Sequence, residues 1–335
     1  MSLKANVKAP RAPRAPLGQD VLRLIGRTPL VSLSRIERDV PGVRLLAKAE
    51  WFNPGGSVKD RAALSIIADA EARGLLAPAR AAGGAGKRLL DASSGNTAIA
   101  YAMISAAKGY GATLCVPKNA NPQVLAILRS YGAEVVLTDP LQGSDGAIRE
   151  ARRLAESRPE TFVYLDQYNN PANWQAHYRT TAEEIWEQTR GAVTHFVAGL
   201  GTTGTFTGTS RRLKELNPAV RAIAVQPDAP FHGLEGLKHL ESALMPGIYD
   251  PGLPDETRFL STESAYQAVQ RLIDEEGLLV GPSSGAALAA SLGVAQALSA
   301  ARISGLVVMV FPDSGSRYAA EGLFAKPDDR LLTRW

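Results

Sequence analysis

Short apolar runs alternate with helical patterns along most of this chain, and that alternation limits the folds it can adopt. An apolar run followed by an amphipathic helix predicts a βαβ unit, and a series of such units predicts the parallel sheets of an α/β fold. The strand-like runs lie at residues 45–49, 88–90, 112–116, 134–137, 222–226 and 306–311. Helical patterns end near residues 76, 108 and 131, and a long one surrounds residues 265–276.

A second series of these runs begins near residue 194, so the chain is predicted to divide near residue 170. A length of 335 residues suits two domains or one large one. We therefore expect a smaller N-terminal α/β domain at residues 42–170 and a larger C-terminal one at residues 171–330.

The excess positive charge of the chain lies in its N-terminal tail. The net charge is +4, and the first 16 residues contain Lys4, Lys8, Arg11 and Arg14 without an acidic residue. The rest of the chain has equal numbers of basic and acidic residues, so no binding of nucleic acid is predicted. Residues 1–17 are expected to form a disordered basic tail, because proline and basic residues dominate them.

From the sequence we expect neither a secretory signal nor a membrane helix. The tail lacks the roughly 7–15-residue apolar core of a secretory signal. No run approaches the ~18 apolar residues of a membrane helix. The single cysteine, Cys115, lies in a strand-like run and cannot form an internal disulfide. We expect it to be a small buried side chain in a cytoplasmic protein.

Residues 53–61 place Lys59 between a turn rich in glycine and proline and the start of a helical pattern. Gly55 and Gly56 allow the backbone to approach a ligand closely. A lysine held at such a turn is a candidate for a Schiff base with pyridoxal phosphate. The alternative is an ordinary solvated lysine in the first turn of a helix.

A glycine- and threonine-rich loop follows the apolar run at 194–198 and precedes a helical pattern. Backbone N–H groups at a helix N-terminus bind phosphate, and threonine hydroxyls add further donors. Gly199, Gly201 and Gly204 also fit the G-x-G-x-x-G dinucleotide pattern, with Asp228 after a later run. A nicotinamide-dependent dehydrogenase is therefore an alternative, although it leaves Lys59 unexplained.

Two further loops precede helical patterns and are rich in hydroxyl groups. Residues 91–97 combine hydroxyl and N–H donors and suit a carboxylate ligand. Residues 281–285 precede an alanine-rich helix. For both loops the alternative is a set of residues that cap the following helix.

Together these four segments resemble the cysteine synthase (O-acetylserine sulfhydrylase) branch of the fold-type II pyridoxal-phosphate enzymes. The resemblance extends from residues 25–30 to residues 318–324. It implies two three-layer αβα domains with mostly parallel twisted sheets, as in tryptophan synthase β. It also implies that residues 18–41 pack on the larger domain, that the smaller domain closes over the cofactor when substrate binds, and that the protein is a homodimer.

The resemblance also assigns roles to individual residues. Lys59 would carry pyridoxal phosphate as the internal aldimine, and no metal is expected. The phosphate would be held by Gly201, Thr202, Thr203, Gly204 and Thr205. Asn96 would bond the phenolic oxygen of the pyridine ring and Ser283 its nitrogen. The substrate carboxylate would be held by Ser93, Ser94, Thr97 and Gln167.

These residue types favour one class of reaction. A serine hydroxyl cannot protonate the ring nitrogen as an aspartate would, so the ring is a weaker electron sink. Loss of a β-substituent is then favoured over transamination. Lys59, once released, is a base near Cα. The expected reaction is a two-step β-replacement through an aminoacrylate, to which a sulfur nucleophile adds.

The branch of the family is indicated by several motifs. Thr203 and the segments 166–170 and 245–250 resemble the B-type cysteine synthases. Lys238 stands where B-type enzymes commonly have a basic residue, and a cation at the pocket mouth suits an anionic substrate. The alternative is a surface lysine.

The substrates and the competing activities stay open at this point. The amino-acid donor is O-acetylserine or O-phosphoserine, and the sulfur donor is sulfide, thiosulfate or a thiocarboxylated carrier protein. The product is then L-cysteine or S-sulfocysteine. Alternatives of the same fold are a cystathionine β-synthase and a catalytically silent binding protein.

Overall fold

The computed structural model describes residues 19–77 and 86–319. Within them the chain forms two β-sheets with helices packed on both faces of each. The α/β prediction with mostly parallel sheets is confirmed. The tail predicted at residues 1–17 lies outside the described residues.

The larger sheet has six strands in the described part of the chain, and five of them run parallel. They are Leu30–Ser32 (β1), Val43–Ala49 (β2), His195–Gly199 (β7), Arg221–Pro227 (β8), Glu256–Leu260 (β9) and Gly305–Phe311 (β10). The spatial order is β1-β2-β10-β7-β8-β9, and only β1 is antiparallel to its neighbour.

The smaller sheet has four described strands, all parallel. They are Arg88–Ala92 (β3), Ala112–Pro117 (β4), Glu134–Thr138 (β5) and Phe162–Tyr164 (β6), in the spatial order β5-β4-β3-β6. The helices of the two units are Lys59–Ala72 (α1), Asn96–Lys108 (α2), Pro122–Ser130 (α3), Gly143–Ser157 (α4), Pro171–Arg179 (α5), Thr181–Gln188 (α6), Gly204–Leu216 (α7), Thr262–Arg271 (α8) and Pro282–Ala300 (α9).

Strand β10 shows why the larger sheet is buried on both faces. Val307 and Met309 belong to the core on the side of α8 and α9, whereas Val308 and Val310 belong to the core on the side of α6 and α7. Because side chains alternate along a strand, a continuous apolar run is what a central parallel strand requires.

The predicted start of the smaller domain is wrong, because it assigns one strand to the wrong sheet. The smaller domain was expected to begin at residue 42, but β2 pairs with β1 and β10 in the larger sheet. The physical reason is that an apolar run has no feature that tells which sheet it joins, since that choice depends on distant partners. The division near residue 170 and the mobility of the smaller domain stay predictions.

The predicted long helix around residues 265–276 also differs in detail. Its α-helical part ends at Arg271, and Leu272–Glu276 forms a π-helical turn. Gly277 then stops the helix in the left-handed conformation, with φ of 68°. The helix is thus present as predicted, but its last turn is π-helical rather than α-helical.

Candidate active site

A cleft lies where the carboxyl ends of β7 and β10 meet the N-termini of α1, α2 and α7. Six of the predicted residues line it together: Lys59, Asn96, Gly201, Thr202, Thr203 and Thr205. The rest of the lining was not predicted and consists of Val58, Ala198, Gly199, Gly236, Leu237, Val310 and Pro312. The carboxyl edge of a parallel sheet is the usual place for ligands, because the loops and helix N-termini converge there.

Lys59 is the first residue of α1 and is half-buried. The N–H of the preceding Val58 donates to the carbonyl of Pro312 at 2.9 Å, which fixes the turn against the end of β10. Burial lowers the pKa of Lys59, while the charges of Asp313 and Glu50 act in the opposite direction. A lowered pKa increases the neutral amine fraction, and the neutral amine is the nucleophile in Schiff-base formation.

The turn before Lys59 is held by a buried carboxyl group. Gly55 donates its N–H to Asp60 Oδ2 at 2.5 Å. Burial raises the pKa of Asp60 to about 7, although this hydrogen bond acts against the shift. A Cβ atom at Gly55 would overlap the Asp60 carboxylate, so only glycine fits this position.

The glycine- and threonine-rich loop between β7 and α7, called the Gly/Thr loop below, has an unusual backbone. Thr203 adopts the left-handed region with φ of 71°, which is strained for a β-branched residue. Its Oγ1 is buried and has no hydrogen-bond partner among the residues that the structure describes. A Cβ atom at Gly201 would overlap the carbonyl oxygen of Gly236, so a second loop approaches closely here.

Helix α5 holds the same loop from behind. Asn173 Nδ2 donates to Thr202 Oγ1 at 3.1 Å. His177 Nε2 lies 3.3 Å from Thr205 Oγ1, and its Nδ1 lies 2.9 Å from Thr181 Oγ1. Burial lowers the pKa of His177 to about 3, so the ring is neutral near pH 7. His177 therefore contacts Thr205 as a neutral ring.

Asn96 begins α2 and meets a carboxylate that the sequence analysis missed. Its Nδ2 donates to Asp313 Oδ2 at 2.6 Å, and Arg317 donates to its Oδ1. Tyr318 donates its hydroxyl to the same Asp313 oxygen at 2.7 Å. The sequence did contain a signal for Asp313, which lies two residues after the apolar run at 306–311, because polar residues just after such a strand lie at the ligand-binding edge.

The predicted carboxylate loop lies between β3 and α2 but outside the lining of the cleft. Ser93 and Ser94 are half-buried and Thr97 is buried. Gln167 is buried beneath the loop, where its Nε2 donates to the carbonyl of Ala92 at 2.7 Å. The structure therefore brings these four residues to the same edge as Asn96 but not into the lining of the cleft.

The other three predicted residues are also outside the lining. Ser283 lies buried in the first turn of α9 and Gly204 begins α7. Lys238 is only 7 % exposed, so it is not a surface lysine. Its Nζ lies 2.8 Å from Asp145 Oδ1 and 5.0 Å from the ring centroid of Tyr168. The expected cation at the pocket mouth is thus already paired with a carboxylate of α4.

A buried charge cluster lies behind α1 and consists of Lys48, Glu50, Arg61 and Glu184. Arg61 Nε lies 2.7 Å from Glu50 Oε2, and Arg61 Nη1 lies 2.6 Å from Glu184 Oε1. Lys48 Nζ lies 2.7 Å from Glu184 Oε2. The cluster joins β2, α1 and α6, and it therefore fixes the helix that carries Lys59.

Comparison with known proteins defines the class of protein to which this fold and cleft belong. Residues 21–313 match the family described as "Pyridoxal-phosphate dependent enzyme". The chain belongs to this family. The nicotinamide-dehydrogenase alternative therefore fails, and the prediction of pyridoxal phosphate as the cofactor is confirmed.

Particular relatives narrow this class. The chain is 49% identical over 312 residues to "Cysteine synthase" of Aquifex aeolicus, covering 92% of this chain and 93% of that protein. It is 43% identical over 302 residues to "Cysteine synthase B" of Salmonella typhimurium, covering 90% and 95%. The crystal structure of a cysteine synthase (OASS) from Entamoeba histolytica matches with a TM-score of 0.85 at 32% identity, covering 96% of this chain and 95% of that chain. The resemblance to cysteine synthases is thereby confirmed.

The residues of the cleft fit pyridoxal phosphate. The amine of Lys59 and the N-terminus of α7 face one cleft, which suits an aldehyde at one end and a phosphate at the other. The Thr203 hydroxyl is a buried polar atom without a partner among the described residues, and a phosphate oxygen would satisfy it. Asn96 lines the same cleft and has an amide that can donate a hydrogen bond to a ligand there.

Within residues 19–77 and 86–319, no helix is long and apolar enough to cross a membrane. These residues also contain no group of three or more histidine, cysteine or acidic residues that could hold a metal ion.

Proposed function

We propose that this chain catalyses a pyridoxal-phosphate-dependent β-replacement that makes L-cysteine or S-sulfocysteine from an activated serine and a sulfur donor. The observation that carries the proposal is Lys59, an amine with a lowered pKa in the same cleft as a helix N-terminus suited to phosphate. The high identity to proteins named cysteine synthase supports the same reaction.

The likeness to cysteine synthases supports a role for each predicted residue. When bound, the cofactor withdraws electrons from Cα of the amino acid. Lys59 takes the Cα proton, since its amine lies in the cleft and its pKa is lowered. Asn96 would donate to the ring oxygen, and Ser283, in the first turn of α9, would bond the ring nitrogen. Ser93, Ser94, Thr97 and Gln167 hold the substrate carboxylate.

The finer assignment is to the B-type enzymes, with O-acetylserine or O-phosphoserine as the amino-acid donor. We further propose a homodimer in the cytoplasm, with a smaller domain that closes over the substrate. Lys238 would support an anionic donor if substrate binding releases it from Asp145. The 43% identity to a cysteine synthase B favours this branch.

The activity is tested with a matrix of substrates. O-acetylserine, O-phosphoserine and serine are each incubated with sulfide, thiosulfate, a thiocarboxylated carrier protein or homocysteine, and the products are identified by mass. We expect cysteine or S-sulfocysteine from an activated serine. Cystathionine from serine and homocysteine as the main product would instead identify a cystathionine β-synthase.

The covalent site is tested separately. Borohydride reduction of the purified protein and peptide mapping should place the cofactor on Lys59. Lys59→Ala should abolish both the tag and the visible absorbance. Lys87→Ala is the matched control, because Lys87 is exposed near the opposite, amino end of β3. A tag at another lysine would contradict the proposal.

A further inference from the structure

Asp313 is a buried carboxylate at the cleft to which the proposed reaction gives no role. It follows β10 and is 1 % exposed. Its Oδ2 accepts hydrogen bonds from Asn96 Nδ2 at 2.6 Å and from the Tyr318 hydroxyl at 2.7 Å. Its Oδ1 is buried and has no hydrogen-bond partner in the described part of the chain. A buried carboxylate is costly, so its retention beside the cleft calls for an explanation.

The backbone of Asp313 joins the two turns that flank the cleft. It forms an isolated antiparallel bridge with Ser57, two residues before Lys59. The N–H of Gly281, which precedes α9, donates to its carbonyl at 3.3 Å. A Cβ atom at Gly281 would overlap Oδ1 of the carboxylate, so the side chain fills the space between these two turns. Asp313 is therefore held in one position by the chain around it.

The contacts of Asn96 fix the orientation of its side-chain amide. An ionised carboxylate only accepts hydrogen bonds and a guanidinium only donates them. Asp313 lies at the nitrogen of the amide and Arg317 at its oxygen. The flipped amide would place two acceptors against each other at one end and two donors at the other. The amide nitrogen has two hydrogens, so the contact with Asp313 leaves one for a ligand.

The carboxylate also acts on Lys59 electrostatically. The negative charge of Asp313 raises the pKa of Lys59 against the effect of burial, and Glu50 of the buried charge cluster contributes in the same direction. Burial raises the pKa of Asp313, whereas its hydrogen bonds with Asn96 and Tyr318 and the charges of Arg317 and Lys59 oppose that shift. Asp313 and Lys59 therefore stabilise each other's charged forms.

We propose that Asp313 is a positioning residue of this site: its carboxylate sets the orientation of the Asn96 amide and supplies the negative charge that acts on Lys59. The inference rests on the proposed function, in which Asn96 donates to the cofactor ring and Lys59 forms the covalent link. It adds Asp313 to the residues of the site, although Asp313 and Asn96 are 217 positions apart in the sequence.

The first test is the pH dependence of the visible absorbance of the holoenzyme, which reports the proton on the cofactor-linked Lys59 nitrogen. In Asp313→Asn we expect the midpoint to fall by about 1 unit or more, because an opposite charge nearby shifts a pKa by roughly 1–3 units. Tyr318→Phe is the matched control, since it removes a donor to the same oxygen and keeps the carboxylate. Its midpoint should stay near that of the wild type.

The second test is a double-mutant cycle on cofactor retention, measured as the rate at which visible absorbance is lost after dilution of the holoenzyme. Asp313→Asn and Asn96→Ala should each accelerate the loss by about tenfold, because a hydrogen bond to a charged group contributes roughly 1.5–3 kcal/mol. The double variant should lose cofactor no faster than Asn96→Ala alone, since Asp313 acts through Asn96.

The outcomes separate the two proposals. If the wild type shows no visible absorbance from a lysine-linked cofactor, the proposed function is wrong. The role of Asp313 is then wrong as well, because it depends on that function. If the wild type has it but Asp313→Asn keeps the wild-type midpoint, or if the two retention effects add fully, only the role of Asp313 is overturned. Asp313→Ser, which also removes the charge, replaces Asp313→Asn if that variant does not fold, and far-UV circular dichroism checks each variant.

Discussion

Thr203 has two features that lower the stability of the folded chain but suit the binding of a ligand. Its φ of 71° is unfavourable for a β-branched side chain, and its buried hydroxyl lacks a hydrogen-bond partner among the described residues. Each of these features destabilises the folded chain, and backbone strain of this kind costs about 1–3 kcal/mol. Both are explained if the Thr203 hydroxyl binds the cofactor phosphate.

Thr203→Gly should therefore separate stability from cofactor binding. Glycine adopts positive φ without strain, and its own entropic cost is only about 0.5–1 kcal/mol. We expect the cofactor-free protein to unfold at an equal or higher temperature, while the holoenzyme loses cofactor several-fold faster. The measurements are thermal unfolding and the decay of visible absorbance after dilution.

Thr203→Ser is the control for this pair of effects. It keeps the hydroxyl and the positive φ, so cofactor retention should stay close to that of the wild type. A glycine variant that is less stable and retains cofactor normally would contradict the role given to Thr203.

At the scale of elements, the position of α1 depends on the buried charge cluster. Arg61 pairs with both Glu50 and Glu184, and Lys48 pairs with Glu184, which connects β2, α1 and α6. Burial alone would raise the pKa of Glu184, but hydrogen bonds and charges from Arg61 and Lys48 lower it to about 2. Breaking a buried pair leaves an uncompensated charge, which is more costly than the pair itself is stabilising.

Glu184→Gln should destabilise the protein by about 3–5 kcal/mol, because Lys48 then loses its ion-pair partner and Arg61 keeps only Glu50. Since the folded pKa of Glu184 is below its unfolded value, its contribution is present above pH ~4.5 and is lost as the pH falls towards about 2. The wild type should lose this stability in that window, whereas the variant should lack the step.

Thermal unfolding between pH 2 and pH 7 measures both effects of the Glu184 substitution. Glu187→Gln is the matched control, because Glu187 lies on the same helix and is exposed. We expect it to change stability by less than about 0.5 kcal/mol. Equal destabilisation in the two variants would show that the cluster does not hold α1.

The boundaries of helices and strands could be predicted where residues close in the sequence determine them. The second helix was predicted to end at residue 108, and α2 ends there because Gly109 takes the left-handed conformation with φ of 78°. The sheet that β2 joins could not be predicted, because its partners β1 and β10 are chosen by packing. The buried charge cluster was missed for the same reason, since Arg61 and Glu184 lie 123 residues apart.

At the scale of the molecule, the site is formed by loops that follow strands of both sheets. Lys59, Asn96 and the Gly/Thr loop each follow the carboxyl end of a strand, which is why local patterns were sufficient to find them. Asp313 follows a strand in the same way and could have been found by that rule. The pairing of Lys238 with Asp145 could not, because the two residues lie 93 positions apart and on different units.

The Lys238–Asp145 pair links α4 of the smaller unit to the segment that follows β8 in the larger one. Asp145 accepts from Lys238 Nζ with one oxygen and from the N–H of Leu244 with the other, at 2.8 Å and 2.9 Å. The residues just before Lys238, Gly236 and Leu237, line the cleft. A substrate anion that reaches Lys238 would therefore compete with Asp145 for the same cation.

This competition predicts opposite effects for the two members of the pair. Asp145→Asn should free the cation and lower the KM of O-phosphoserine relative to that of O-acetylserine, whereas Lys238→Met should raise it. We expect a change of about tenfold in the ratio, which corresponds to roughly 1.4 kcal/mol. Lys87→Met controls for the loss of one positive charge, because it lies away from the cleft. If both substitutions change the two donors equally, the pair only joins the two units and Lys238 does not select the substrate.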